Sequence, residues 1–234
     1  TAAGTLTARG ATEQQFELTA RTSQSEVGRI TGELVWDSDE GRRAATLTVN
    51  EVSRDFLNPL LLALAPVQLA AGRINADVSL AGVGDQIDFQ TAMRAEGLSF
   101  IVESADPTPP LNITADQSGS FEPEAQVLRL ETAVVDVRRG SEQLLAVDLD
   151  QPLTLNIGAE PAAALSAAEA RLGVVVNNLT LETARPWLAI AGQPDAAGLT
   201  AGTFNADLTL NVGGQGRALD FNGRVTASGL RHAA

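Results

Sequence analysis

The stretch Gly72-Arg73-Ile74-Asn75-Ala76-Asp77-Val78-Ser79-Leu80 is written a second time as Gly202-Thr203-Phe204-Asn205-Ala206-Asp207-Leu208-Thr209-Leu210. In both, apolar residues hold every second position: Ile74, Ala76, Val78 and Leu80 in the first, Phe204, Ala206, Leu208 and Leu210 in the second. That period places one apolar and one polar face on an extended chain, so each stretch reads as a β-strand.

The likeness extends to both sides. Upstream, Val49-Asn50 matches Val176-Asn177 and Pro59 matches Pro186. Downstream, Asp88-Phe89 matches Asp220-Phe221, and Ala95-Glu96-Gly97-Leu98 matches Ala227-Ser228-Gly229-Leu230. The order is kept, and the insertions fall in Gly-rich segments at 194–202 and 214–218, as surface turns require. Alternation recurs outside the copies, in Phe16/Leu18/Ala20, Leu128/Leu130, Val135/Val137, Leu145/Val147/Leu149 and Leu172/Val174/Val176. Turn chemistry separates these runs, for example Asp106-Pro107-Thr108-Pro109-Pro110 and Gly213-Gly214-Gln215-Gly216.

The expectation is a mainly β protein: twelve or more strands in a long, repetitive, largely antiparallel, curled open sheet, with two or three short helices. The division expected is a first β repeat over 1–100, with a helix near 59–65, and a second over 101–234, with a helix near 186–191. Pro59 and Pro186 are read as first helical residues, where a missing N–H costs nothing. Ser166-Ala167-Ala168-Glu169 has the form of a capping box and is the third helix candidate.

Composition excludes much chemistry. The chain has 234 residues, 16 basic (all Arg) against 29 acidic, for a net charge of −13, so a nucleic-acid partner is not expected. There is no Cys, and the one His is His232, which removes thiol nucleophiles, zinc fingers and His-based triads. Neither an enzyme nor a cofactor is expected. Apolar residues make up 44%, but only 7 Phe, 2 Trp and no Tyr occur, so the core is small and aliphatic. No run reaches the roughly 20 apolar residues of a spanning helix. Residues 1–30 lack a signal-peptide pattern, and the start at Thr1 suggests a piece of a longer protein.

The remaining motifs have plain readings. Asp37, Asp39 and Glu40 beside Gly41 form an incomplete calcium loop, better taken as a solvated hairpin tip. Asp148 and Asp150 share a strand face with nothing nearby to split their pKa values. Gly82/Gly84 and Gly213/Gly214/Gly216 lack the helix of a dinucleotide loop and read as turns. Asn112-Ile113-Thr114 and Asn178-Leu179-Thr180 fit a glycosylation sequon. The recurrence of Asp77/Asp207 and Asp88/Asp220 points to structure.

The repeated pattern is an apolar helix, Ala-Gly-x-apolar-Asn-Ala-Asp-apolar-x-Leu, a Gly-rich turn, Asp-Phe and Ala-x-Gly-Leu. It resembles the AsmA-like superfamily with its TamB-like branch, best over 47–100 and 174–231. The resemblance implies a β-repeat groove of the Gram-negative envelope. It would lie in the periplasm, in a parent protein anchored in the inner membrane. Its work would be phospholipid transfer between inner and outer membranes or outer-membrane biogenesis. Acyl chains are the implied ligand and outer-membrane assembly proteins an implied partner. The lipid-facing residues would be Ile74, Val78, Leu80, Phe89, Phe204, Leu208, Leu210 and Phe221. A structural or adhesive repeat domain of a secreted or surface protein is the alternative, although solenoids repeat at shorter periods. A glycosidase on a β scaffold lacks aromatic clusters and converging acids.

Overall fold

The computed structural model describes residues 2–9, 13–21, 26–37, 42–64, 67–83, 85–102, 106–159, 170–190, 199–213 and 217–232. The chain enters with strands β1 (Ala2–Arg9), β2 (Glu13–Arg21), β3 (Glu26–Asp37) and β4 (Arg42–Ser53). Helix α1 (Arg54–Leu64) follows, then β5 (Val67–Val83) and β6 (Gln86–Val102). Next come β7 (Leu111–Glu122), β8 (Val127–Arg139), β9 (Glu142–Gln151) and the short β10 (Leu153–Asn156). The described chain ends with β11 (Ala170–Thr180), helix α2 (Leu181–Ile190), β12 (Leu199–Gly213) and β13 (Arg217–His232).

All thirteen strands form one antiparallel sheet in chain order, with β10 set against β8. The path begins at β1 and ends at β13, which do not pair, so the sheet is open. The fold is mainly β and antiparallel with helices at matching places, as the alternation predicts. Two helices are present among the described residues; the candidate at Ser166–Glu169 lies outside them.

The recurring unit is β4-α1-β5-β6 and β11-α2-β12-β13, and a single sheet runs through both. Registers coincide pair by pair. Val49↔Ala76 and Val52↔Ile74 in the first unit correspond to Val176↔Ala206 and Leu179↔Phe204 in the second. Leu80↔Phe89 likewise corresponds to Leu210↔Phe221.

The helix starts differ from expectation. Both begin five residues before their proline, at Arg54 and Leu181. Pro59 therefore sits inside α1, where it removes one hydrogen bond of the ladder. At α2 the start is set instead by the residue ending the preceding strand. Thr180 Oγ1 accepts from the Thr183 N–H at 3.3 Å, an N-cap bond, and Asp55 and Glu182 place acids in the positive first turn.

The core lies at the helix end of the sheet. Val67, Leu69, Ala95, Leu98, Phe100, Leu111, Ile113, Val137 and Leu144 are buried together, and Leu57 and Leu61 of α1 pack on them. α1 is pinned by Asn58, whose side chain donates to the Leu69 carbonyl (3.1 Å) and accepts from its N–H (2.6 Å). α2 leans back across the sheet, placing Trp187 edge-on to Phe100 with ring centroids 5.4 Å apart.

Candidate functional site: an apolar sheet face crossed by recurring bulges

One row of paired residues crosses the whole sheet without a polar member. It runs Gly4, Leu18, Ile30, Val49, Ala76, Met93, Ala115, Val135, Val147, Val174, Leu208, Gly223. The next row toward the helices, from Ile74 through Ala95, Ile113, Val137, Leu145, Val176 and Ala206 to Val225, is apolar too. At about 4.8 Å per strand, eleven steps make an apolar band roughly 50 Å long. The opposite face carries Glu17, Thr31, Thr48, Asp77, Ala92, Asp116, Val134 and Asp148 in register.

All eight residues read from the sequence as one set lie on the apolar face by register. Ile74 packs against the core cluster. Val78, Phe89, Phe204, Leu208 and Leu210 are half-buried, Leu80 is 39% exposed and Phe221 is 74% exposed. Leu18 and Leu34 of β2 and β3 are exposed on the same face. Burial therefore falls away from the helices and toward the sheet edges, leaving an open apolar surface. Thr91, directly opposite Val78, is a polar interruption whose buried hydroxyl has no hydrogen-bond partner. Shallow hollows lie along β2 to β6, lined mostly from the other face, and two of them adjoin the band. One is lined by Gln15, Phe16, Glu17, Thr31, Gly32, Glu33, Thr46 and Thr48, and the second by Thr46, Leu47, Thr48, Asp77, Val78, Ser79, Gln90 and Ala92. A twisted sheet is hollowed on both sides, and these hollows are bordered by Phe16, Leu47 and Val78 as well as by polar-face residues.

The recurring polar residues build the backbone. Glu51 and Asn178 occupy equivalent bulges and take positive φ, 52° and 46°. The Glu51 N–H donates to Asn75 Oδ1 at 2.8 Å, and the Asn178 N–H donates to Asn205 Oδ1 at 2.8 Å. A third bulge, in β6, repeats the device: Gly97, at φ 62°, donates its N–H to Asn112 Oδ1 of β7 at 2.9 Å. Each asparagine sits between two apolar residues and accepts the amide that the bulge frees from the ladder. Asn112 and Asn178, read as sequons, are both members of these clamps. Of the recurring acids, Asp77 accepts from Thr48 Oγ1 at 3.0 Å and Asp88 from Gln86 Nε2 at 2.7 Å, polar-face roles in each case. The clamp asparagines were missed in the sequence because their phase is that of the polar face. The visible signal was that Asn75 and Asn205 recur without variation.

The described acidic candidates, Asp148 and Asp150, gather no reactive group. Asp150 faces Arg171 at 3.6 Å across exposed surface, and Asp148 stays exposed on the polar face. Asp39 and Glu40 lie outside the described residues. Among the described residues no three His, Cys, Asp or Glu side chains gather as a metal site. At the β8–β9 turn, burial opposes ionisation of Asp136. Hydrogen bonds from Arg138 and Gln143, with the Arg138 charge, outweigh it and hold the carboxyl below the ordinary range. Glu142 is lowered by hydrogen bonds from Arg139 (2.7 Å) and Asn178 (3.3 Å), which tie this turn to the β11 bulge.

No described helix is long and apolar enough to cross a membrane. No family model, curated protein or solved structure matches the chain.

Proposed function

We propose that this chain is a β-groove segment of an AsmA-like, cell-envelope protein. Its apolar face would hold phospholipid acyl chains during transfer between inner and outer membranes or during outer-membrane assembly. One observation carries the reading: the unbroken apolar row across all twelve strands of the main path, buried to half-buried at its centre and exposed at Leu18 and Gly223. A surface of this length leaves a large apolar area in water unless something covers it, and acyl chains suit its chemistry because they ask for no hydrogen bonds. The absence of clustered reactive side chains among the described residues fits a carrier better than a catalyst. The acidic balance, −13, disfavours direct attachment to an anionic membrane surface, which suits transfer through a partner.

A photo-crosslinker at Val78 or Leu208 should capture phospholipid in cells, and the same probe at Ser79 or Thr209 should not. Successive side chains on a strand point to opposite faces, so the contrast reads the face directly. Equal capture at both phases would reject the groove. Capture of protein alone at Val78 and Leu208 would assign the face to a protein partner.

A further inference from the structure

The two units match so closely that β13 can be compared with β6 contact by contact. β6 has β5 on one side and β7 on the other, whereas β13 has β12 and, among the described residues, no strand beyond it. On its outer side β6 makes two particular contacts with β7. The Gly97 N–H, in a left-handed bulge, is held by Asn112 Oδ1. The ring of Phe89 lies over Gly119, its direct cross-strand partner, where a Cβ would come within 2.8 Å of the ring and also meet the Arg129 carbonyl of β8. The same pairing of ring and glycine holds Phe16 over Gly32.

β13 repeats the β6 half of both contacts. Gly229 takes φ 62°, identical to Gly97, at the corresponding bulge. Phe221 stands where Phe89 stands, opposite Leu210 as Phe89 is opposite Leu80. Yet Phe221 is 74% exposed, while Phe89 is half-buried. A left-handed glycine bulge and an aromatic ring are thus set on an open edge in the spacing that elsewhere receives an asparagine and a glycine seven residues apart.

We infer that the outer edge of β13 is an acceptor for one further antiparallel strand with apolar-Asn-apolar opposite Gly229 and a glycine seven residues after the Asn. Main-chain bonds along sixteen residues would supply affinity, the mode of strand addition. The asparagine clamp and the ring-covered glycine would fix register, because a slip of one residue turns every side chain to the wrong face. The inference does not depend on what the apolar face carries.

The probe is a synthetic peptide of residues 110–122, which carries Asn112 and Gly119. Added to the intact chain, it should bind by fluorescence anisotropy and slow amide exchange along β13 while leaving β1 unchanged. The Asn112→Ala peptide loses one hydrogen bond and should bind roughly two- to tenfold more weakly. Gly119→Val in the peptide collides with Phe221, and the loss should disappear in a Phe221→Ala chain. Protection of β1 instead of β13, equal binding of all peptides, or no binding would overturn the inference. So would a concentration-dependent dimer that protects β13 without peptide, since the acceptor edge would then belong to a second copy.

Discussion

Leu98 is 4% exposed and its counterpart Leu230 is 51% exposed, although their strands share one register. The same gradient separates Ala95 from Ala227 and Met93 from Val225. The first unit has sheet on both sides and a helix fixed over it by Asn58 and by Arg54, which donates to the Ala70 carbonyl at 2.8 Å. In the second unit Leu181 and Arg185 hold those positions, and α2 turns its Trp187 to the Phe100 of the first. The N-caps differ in the opposite sense: Thr180 makes its bond, while the buried Ser53 hydroxyl has no partner. One backbone template therefore serves a core unit and an edge unit. What a residue contributes depends on its neighbours in the sheet as much as on its own strand.

The strongest way to break this comparison is to truncate the paired leucines. Leu98→Ala empties a site among Phe100, Leu111 and Val67 and should cost about 2–5 kcal/mol in urea unfolding. Leu230→Ala removes a half-exposed side chain at the edge and should stay within about 0.5 kcal/mol. Equal losses would mean that β13 is covered in solution and that the edge unit is also a core unit.

The glycines sharpen the point at the backbone. Gly72 takes φ 114°, and a Cβ there would meet the Leu98 Cα at 2.9 Å, a backbone atom that cannot swing away. Gly202 meets Leu230 as well, but only the tip of its flexible side chain, and at no left-handed φ. Gly72→Ala should therefore cost about 1–3 kcal/mol and Gly202→Ala well under half of that. A thermal melt of each variant decides it; the comparison fails if Gly202→Ala is the more damaging.

Much of this organisation could be read in the residues, and the gaps have physical causes. Alternation in Ile74 to Leu80 and Phe204 to Leu210 gave the strands, their faces and the repeat, because a two-faced sheet leaves that period directly in the chain. The core was harder to see. Val67 and Leu69 alternate on odd numbers and Ile74 on even ones, and only the irregular pairing around Ala71 and Gly72 brings them to one face. The helix starts were misplaced because proline is the most visible residue near them, whereas Ser53 and Thr180 look like ordinary strand residues. The clamps were invisible for a further reason: the asparagine is on one strand and the amide it serves on another. Nothing in Glu51 itself announces a positive φ.

The clamps also give the finest test, since here the two units should behave alike. Asn75 and Asn205 each accept a bulge amide at 2.8 Å, and both amides lie on exposed surface. Replacing either by Ala removes an acceptor that water partly replaces, so each variant should lose about 0.5–1.5 kcal/mol. The loss should be nearly equal, because the bond draws on local bulge geometry and not on the buried cluster that separates Leu98 from Leu230. Amide exchange gives the sharper reading: Glu51 N–H should lose protection in Asn75→Ala, and Asn178 N–H in Asn205→Ala, with other bulges unchanged. Asn178 also donates to Glu142 at 3.3 Å, which tethers its bulge to the β8–β9 turn, whereas Glu51 pairs with the exposed Arg73 at 3.0 Å. If Asn205→Ala alone proved silent, that tether would be holding the second bulge without its clamp. The equivalence of the two units would then stop at register.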